Sequence, residues 1–177
     1  MRWLLLFLLM TQPGFGQEAN NQIAVFPDAY FGHYKGDLVI KNDAGTQQVP
    51  MQFILDKTSE AGVYEYVLIY GQNPTKNDER RYLLRVVDSA KGRYQVDEQN
   101  GIVLDAHQTG SSLKSVFEVQ GSLLLTNMSF TADGFMEFEI IMVKADTPTM
   151  TGGLSDEIPP VKSFPIQVLQ RAILIKN

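Results

Sequence analysis

From Gly32 onward, apolar and polar residues alternate in short runs, and turn-forming residues separate the runs at intervals of about eight to twelve positions. A period of two is the mark of a strand with one dry face and one wet face. In residues 33–41, Tyr34, Leu38 and Ile40 fall on one face and Lys35, Asp37 and Lys41 on the other. Asn42-Asp43-Ala44-Gly45 supplies a hairpin turn, after which Val49, Met51, Phe53 and Leu55 alternate with Gln48, Gln52 and Asp56. Further strands are predicted over residues 63–70, 80–88, 93–97, 102–107, 113–120, 123–131, 135–145 and 164–175. Asn100-Gly101 and Asp133-Gly134 are among the turn signals between them. No segment carries a sustained helical period.

About ten strands joined by short turns favour up-and-down antiparallel order, because parallel neighbours need long crossovers. Closing such a meander removes its exposed edges. The pattern therefore predicts an all-β fold, a single antiparallel up-and-down barrel of about ten strands spanning residues 32–177, with a β-sandwich as the alternative. Two segments fall outside the meander. Residues 17–31 form an N-terminal extension ending in Phe26-Pro27-Asp28-Ala29-Tyr30-Phe31, suited to one helical turn capping a barrel end. Residues 146–162, rich in Thr, Gly and Pro, exceed the usual loop length and are expected to be a lid, a binding loop or a mobile segment.

The first residues change the picture from fold to compartment. Arg2, an apolar run from Trp3 to Met10, and Gly14-Phe15-Gly16 make a bacterial-style signal peptide over residues 1–16, with cleavage expected after Gly16. The apolar run is too short to span a bilayer. The chain has no cysteine, so it offers neither a disulfide nor the lipid attachment point of an envelope lipoprotein. A secreted or periplasmic protein without stable membrane insertion is expected. With Arg2 removed, 20 acidic side chains stand against 14 of the chain's 15 Lys and Arg. That balance disfavours nucleic acid, whose binding requires phosphate neutralisation.

Candidate chemistry is sparse. His33 and His107, the two histidines, show no metal-ligand spacing, and no metal or cofactor is expected. Asp97-Glu98-Gln99-Asn100-Gly101 reads as a turn, since it lacks the ligand pattern of a calcium loop. Serines occur without a nucleophile elbow, and Glu137 and Glu139 read as solvated charges, so catalysis is not expected.

The most suggestive cluster pairs a strand carrying Tyr64, Tyr66 and Tyr70 on one face with a next strand carrying Arg81, Tyr82 and Arg85, in which Arg81 and Arg85 share a face. Turned into a barrel, phenols and guanidinium groups hold a carboxylate or phosphate while aliphatic walls take a tail. Turned outward, the arginines are ordinary solvated charges. The remaining candidate ligand contacts are the dry-face residues Tyr34, Met51, Phe53, Phe117, Phe138 and Ile140.

The aromatic segment before the first strand, followed by Gly32-His33-Tyr34 where lipocalins carry G-x-W, resembles the calycins, the lipocalin-like and fatty-acid-binding-like barrels. The resemblance covers residues 31–176. It implies a lipocalin-like barrel and a cation packed against the residue at the tryptophan position, a part assigned to Arg171. The second lipocalin motif, T-D-Y, is absent. Nitrobindin-like members of the group bind haem through a C-terminal histidine; no histidine follows His107, so haem is not carried over.

The expected function is therefore a binding module that takes a small hydrophobic or amphipathic ligand inside the barrel. The alternative is a structural or protein-interaction β domain of the bacterial envelope with a filled core.

Overall fold

The computed structural model describes residues 25–71 and 78–177. The signal peptide expected over residues 1–16 lies outside the described residues. The strands in chain order are β1 (Gly32–Asn42), β2 (Gly45–Lys57), β3 (Val63–Tyr70), β4 (Asp78–Asp88), β5 (Arg93–Asp97) and β6 (Val103–Thr109). They continue with β7 (Ser112–Val119), β8 (Ser122–Phe130), β9 (Phe135–Lys144), β10 (Thr149–Thr151), β11 (Val161–Ser163) and β12 (Ile166–Lys176). Ten of them close into an antiparallel barrel in the order β1-β12-β9-β8-β7-β6-β5-β4-β3-β2, as the alternation predicts, while β10 and β11 pair as a separate ribbon.

Closure occurs at β1. Leu38 stands opposite Val49 of β2 on one edge and Ala172 of β12 on the other, so one strand is bonded along both sides and the sandwich alternative is excluded. Every second side chain then points into a shared interior. Tyr34, Leu38, Met51, Phe53, Leu84, Met136, Phe138 and Leu174 are at most 2% exposed and form its packed heart. Their outward neighbours Lys35, Asp37, Glu137 and Ile173 are exposed.

The turns carry their own chemistry. Asn42 Oδ1 accepts the Ala44 N–H at 2.9 Å, fixing the β1–β2 hairpin. Between β4 and β5 a single 3-10 turn over Ser89–Lys91 is capped by Asp88, whose side chain accepts the Lys91 N–H, and ends at Gly92 with φ 64°. A Cβ on Gly92 would also collide with the Gln108 carbonyl, to which the β4–β5 turn is tied by a Gln108 N–H bond to the Gly92 oxygen.

Residues 146–162, expected to be a lid, a binding loop or a mobile segment, carry β10 and run into β11, and the two strands make an arm in which every residue from 149 to 163 is exposed. One expectation is corrected. Arg171 does not pack against Tyr34. It points outward and pairs with Glu139 at 3.0 Å, while Lys176, opposite Tyr34 in the β1–β12 register, places its Nζ 5.9 Å from the Tyr34 ring centre.

Phe53→Ala is expected to lower the unfolding free energy by about 3–5 kcal/mol through transfer and cavity terms. Gly92→Ala is expected to cost about 1–3 kcal/mol for its left-handed backbone. Val116→Ser, at an outward position 59% exposed, should stay within about 0.5 kcal/mol of the native protein. Urea unfolding midpoints measure all three, and equal losses at Phe53 and Val116 would contradict the assigned faces.

Candidate functional site: the barrel interior

The two ends of the barrel differ. At one end the 3-10 turn Asp28–Tyr30 lies against the strands and brings Phe26, Tyr30 and Phe31 to the interior aromatics. Tyr30 stacks on Phe130 with ring centres 4.9 Å apart, and Phe26 meets Tyr94 edge-on at 5.3 Å. Phe31 approaches Tyr64 at 5.7 Å. Two phenols tie the turn down: Tyr34 donates to the Tyr30 carbonyl at 2.7 Å and Tyr94 to the Phe26 carbonyl at 3.4 Å. This end is sealed by rings.

Toward the other end the interior loosens. Ile40, Tyr82, Leu104, Phe117, Leu124 and Ile140 sit in register with inward residues and so face the lumen, yet all six are half-buried. With no ring-bearing turn over them among the described residues, they line a cup at this end, with Met51, Phe53 and Phe138 lying in the packed zone beneath it.

Polar groups converge at the junction of floor and cup. Tyr66, on β3, is 7% exposed and donates its hydroxyl to Met128 Sδ at 3.1 Å, a soft and weak acceptor. Its ring stacks on Tyr82 of β4 at 6.1 Å. Burial, above all, pushes the Tyr66 phenol far up, and the neighbouring Tyr70 and Tyr82 phenols add to the shift. The Tyr34 phenol in the sealed end is pushed up to about 12, again mainly by burial.

The register also decides which arginine faces the lumen. Tyr66 is opposite Tyr82 and Leu68 opposite Arg80, so the inward row of β4 is Arg80, Tyr82, Leu84. Arg80 holds its guanidinium 5.2 Å from the Tyr70 ring centre at the rim. Arg81 and Arg85 are on the outer wall, opposite Val67 and Val63. There Arg81 pairs with Glu79, and Arg85 with Asp97 at 3.0 Å. The Asp97 carboxyl is held below the usual range first by the Gln99 N–H and then by Arg85.

Of the residues singled out from sequence, Tyr66, Phe117 and Ile140 thus reach the cup or its floor. Tyr34 and Tyr64 belong to the sealed end, Met51, Phe53 and Phe138 to the packed core, and Arg81 and Arg85 to the exterior. Tyr82, part of the suggestive cluster, faces the lumen, while Arg80 was missed. The signal that could have found it is the pairing of Tyr66 with Tyr82, which fixes the face of the whole β4 strand.

The histidines lie apart on the outer wall, His33 bonded to Gln52 Oε1 at 2.8 Å and His107 between Arg93 and Lys114. A surface depression of about 720 Å³ crosses the exterior over β1, β9 and β12, lined by mixed charges including Lys35, Asp37, Glu137 and Arg171. A scan against protein-family models finds no match for this chain, and a search of the curated proteins finds none either.

Both raised phenols carry a sign. A tyrosine whose folded value is raised lends stability that is complete below the unfolded value of about 10 and is lost as pH climbs beyond it, because the denatured chain ionises first. An ultraviolet pH titration should show the Tyr34 phenol ionising near pH 12, and the Tyr66 phenol only with unfolding. A Tyr66→Phe variant that removes an ionisation step near pH 10 from the folded protein would contradict the buried floor.

Proposed function

We propose that the protein is an exported carrier barrel of the calycin type that holds a small apolar or amphipathic molecule in the open half of its interior. The observation that carries this reading is the row of large inward-facing side chains, among them Leu104, Phe117, Leu124 and Ile140, left half-buried above a sealed aromatic floor. Such a cup has the general make-up of a small-molecule site: apolar walls with a few convergent polar groups, here Tyr66, Tyr82 and the rim residue Arg80. Met128 and Met142 on the same inward face add pliable contacts. The apolar lining of the lumen and the charged rows of the outer wall are the reverse of the arrangement in a membrane-spanning barrel. They support a water-soluble protein, and the leader over residues 1–16 supports export.

A second reading, a protein-interaction barrel, draws on the β10–β11 arm, where Leu154 is 89% and Met150 55% exposed. Isolated two-stranded ribbons are marginal in water. The arm gives that reading a surface but no partner chemistry.

The carrier reading is tested with N-phenyl-1-naphthylamine, a neutral dye that fluoresces in apolar surroundings. The native protein should bind it saturably. Ile140→Trp, which fills the cup, should weaken uptake by about tenfold or more, roughly the 1.4 kcal/mol or so that corresponds to a factor of ten, whereas Ile173→Trp on the outer wall should not. Absence of saturable binding, or equal behaviour of the two variants, rejects the carrier reading in favour of the interaction barrel.

A further inference from the structure

The barrel wall has a seam. The β6–β7 ladder runs only through Thr109–Ser112, Gln108–Leu113 and His107–Lys114, whereas β6 stays paired to β5 as far as Val103 and β7 to β8 as far as Val119. Beyond His107 and Lys114, toward the open end, the ladder bonding between the two strands stops. A depression of about 580 Å³ lies in the wall there, lined on the outside by Arg93, Asp105, His107 and Lys114 and touching the inward residues Ala106 and Ser115.

Three features of the depression are independent of one another. First, the inward side chains flanking the first unpaired position are Ala106 and Ser115, small groups between the bulkier Leu104, Leu113 and Phe117. Second, Ser115 is 7% exposed, and its hydroxyl has no hydrogen-bond partner among the described residues. A buried hydroxyl without a partner costs about 1–3 kcal/mol.

Third, Arg93 stands opposite His107 and His107 opposite Lys114, forming one exposed row of bases across three strands. The two formal cations of this row, Arg93 and Lys114, flank His107 from either side, and they stand together in a chain where acidic residues outnumber Lys and Arg by 20 to 15. The adjacent carboxylates are engaged elsewhere: Asp88, opposite Arg93, pairs with Lys91 at 3.1 Å, and Asp105 accepts from Gln95 at 3.1 Å. Among the described residues neither Arg93 nor Lys114 forms an ion pair.

We infer that the β6–β7 seam binds the oxyanion head of an amphiphile whose hydrocarbon tail lies in the cup. Arg93, His107 and Lys114 hold the head at the outer mouth. The tail passes between Ala106 and Ser115, and the Ser115 hydroxyl donates to the head or to its ester oxygen. The inference rests on the carrier reading and specifies its ligand class: a single-chain carboxylate or phosphate, with its charge at the wall and not at the open end.

The test compares dodecanoate, dodecyl phosphate and dodecanol, three ligands with one tail, by displacement of the neutral dye from the native full chain and from an Arg93→Gln/Lys114→Gln double variant. Both changed residues are exposed, so the variant should fold. The native protein is expected to bind the two anions more tightly than dodecanol, and whichever anion binds better identifies the head. The double variant should lose about tenfold or more for the anions, with dodecanol and dye within twofold. Ser115→Ala should weaken the anions two- to fivefold without moving the dye. If the double variant treats all three dodecyl ligands as the native protein does, or weakens all equally, the seam is not the head site while the carrier reading stands. If the native protein takes up neither dye nor any dodecyl ligand, both fall.

Discussion

Residues 34–42 of β1 are bonded along both edges, to β2 on one side and to β12 on the other, and this double pairing forces half of all strand side chains into one enclosed volume. Without it the same strands would present two faces to water, and Tyr34, Phe53, Phe138 and Leu174 would have no shared interior. Closure also satisfies the backbone groups that an open sheet leaves at its edges. What the chain must then decide is how to fill the cylinder, and it does so unequally. The aromatic rings of Phe26, Tyr30, Phe130 and Tyr94 occupy one end, and a mixture of aliphatic side chains with Tyr82 and Phe117 lines the other.

Much of this was legible in the sequence because alternation is unambiguous where polar and apolar residues differ strongly. Tyr34-Lys35 and Met136-Glu137-Phe138-Glu139 admit a single assignment of faces, and ten such strands with short turns lead to a barrel. The reading fails where neighbours are alike. Arg80-Arg81 and Leu83-Leu84 are equal pairs, so a period of two fits either face, and only the cross-strand match of Tyr66 with Tyr82 chooses Arg80 for the lumen and Arg81 for water. The cation at Tyr34 was misplaced for a related reason. Arg171 and Lys176 are five positions apart on one strand and therefore lie on opposite faces, and the register, not the residue type, brings Lys176 to the ring. The end of the β6–β7 ladder leaves no mark in the sequence, since Ala106 and Ser115 suit a paired strand as well as an unpaired one.

The polar content of the interior follows from the same geometry. Three phenols, Tyr66, Tyr70 and Tyr82, gather on adjacent strands, and burial holds the Tyr66 group firmly neutral. A neutral hydroxyl whose bond goes to a thioether keeps most of its donor capacity, because sulfur is a poor competitor for a proton. The interior thus carries hydrogen-bonding capacity at the boundary between packed core and wetted cup, the level at which a guest's buried end would meet the floor.

Stability alone does not account for that boundary. Burial of apolar surface contributes about 25 cal/mol per Å², so a barrel filled to the rim with larger side chains would gain from every inward position that Leu104, Leu124 and Ile140 leave half in water. The opposite end shows that this chain can close a barrel end, using rings from a segment outside the meander. A sealed floor and an unfilled cup made from one continuous set of strands therefore differ by side-chain choice and not by architectural necessity. The seam repeats the pattern in the wall itself: β5–β6 and β7–β8 continue their ladders to the rim, while the two strands between them stop bonding where the small inward residues Ala106 and Ser115 stand. Unmade packing at the cup and unmade pairing at the seam converge on the same interior space, and an occupant that supplies a hydrocarbon chain to one and a charge to the other would restore both.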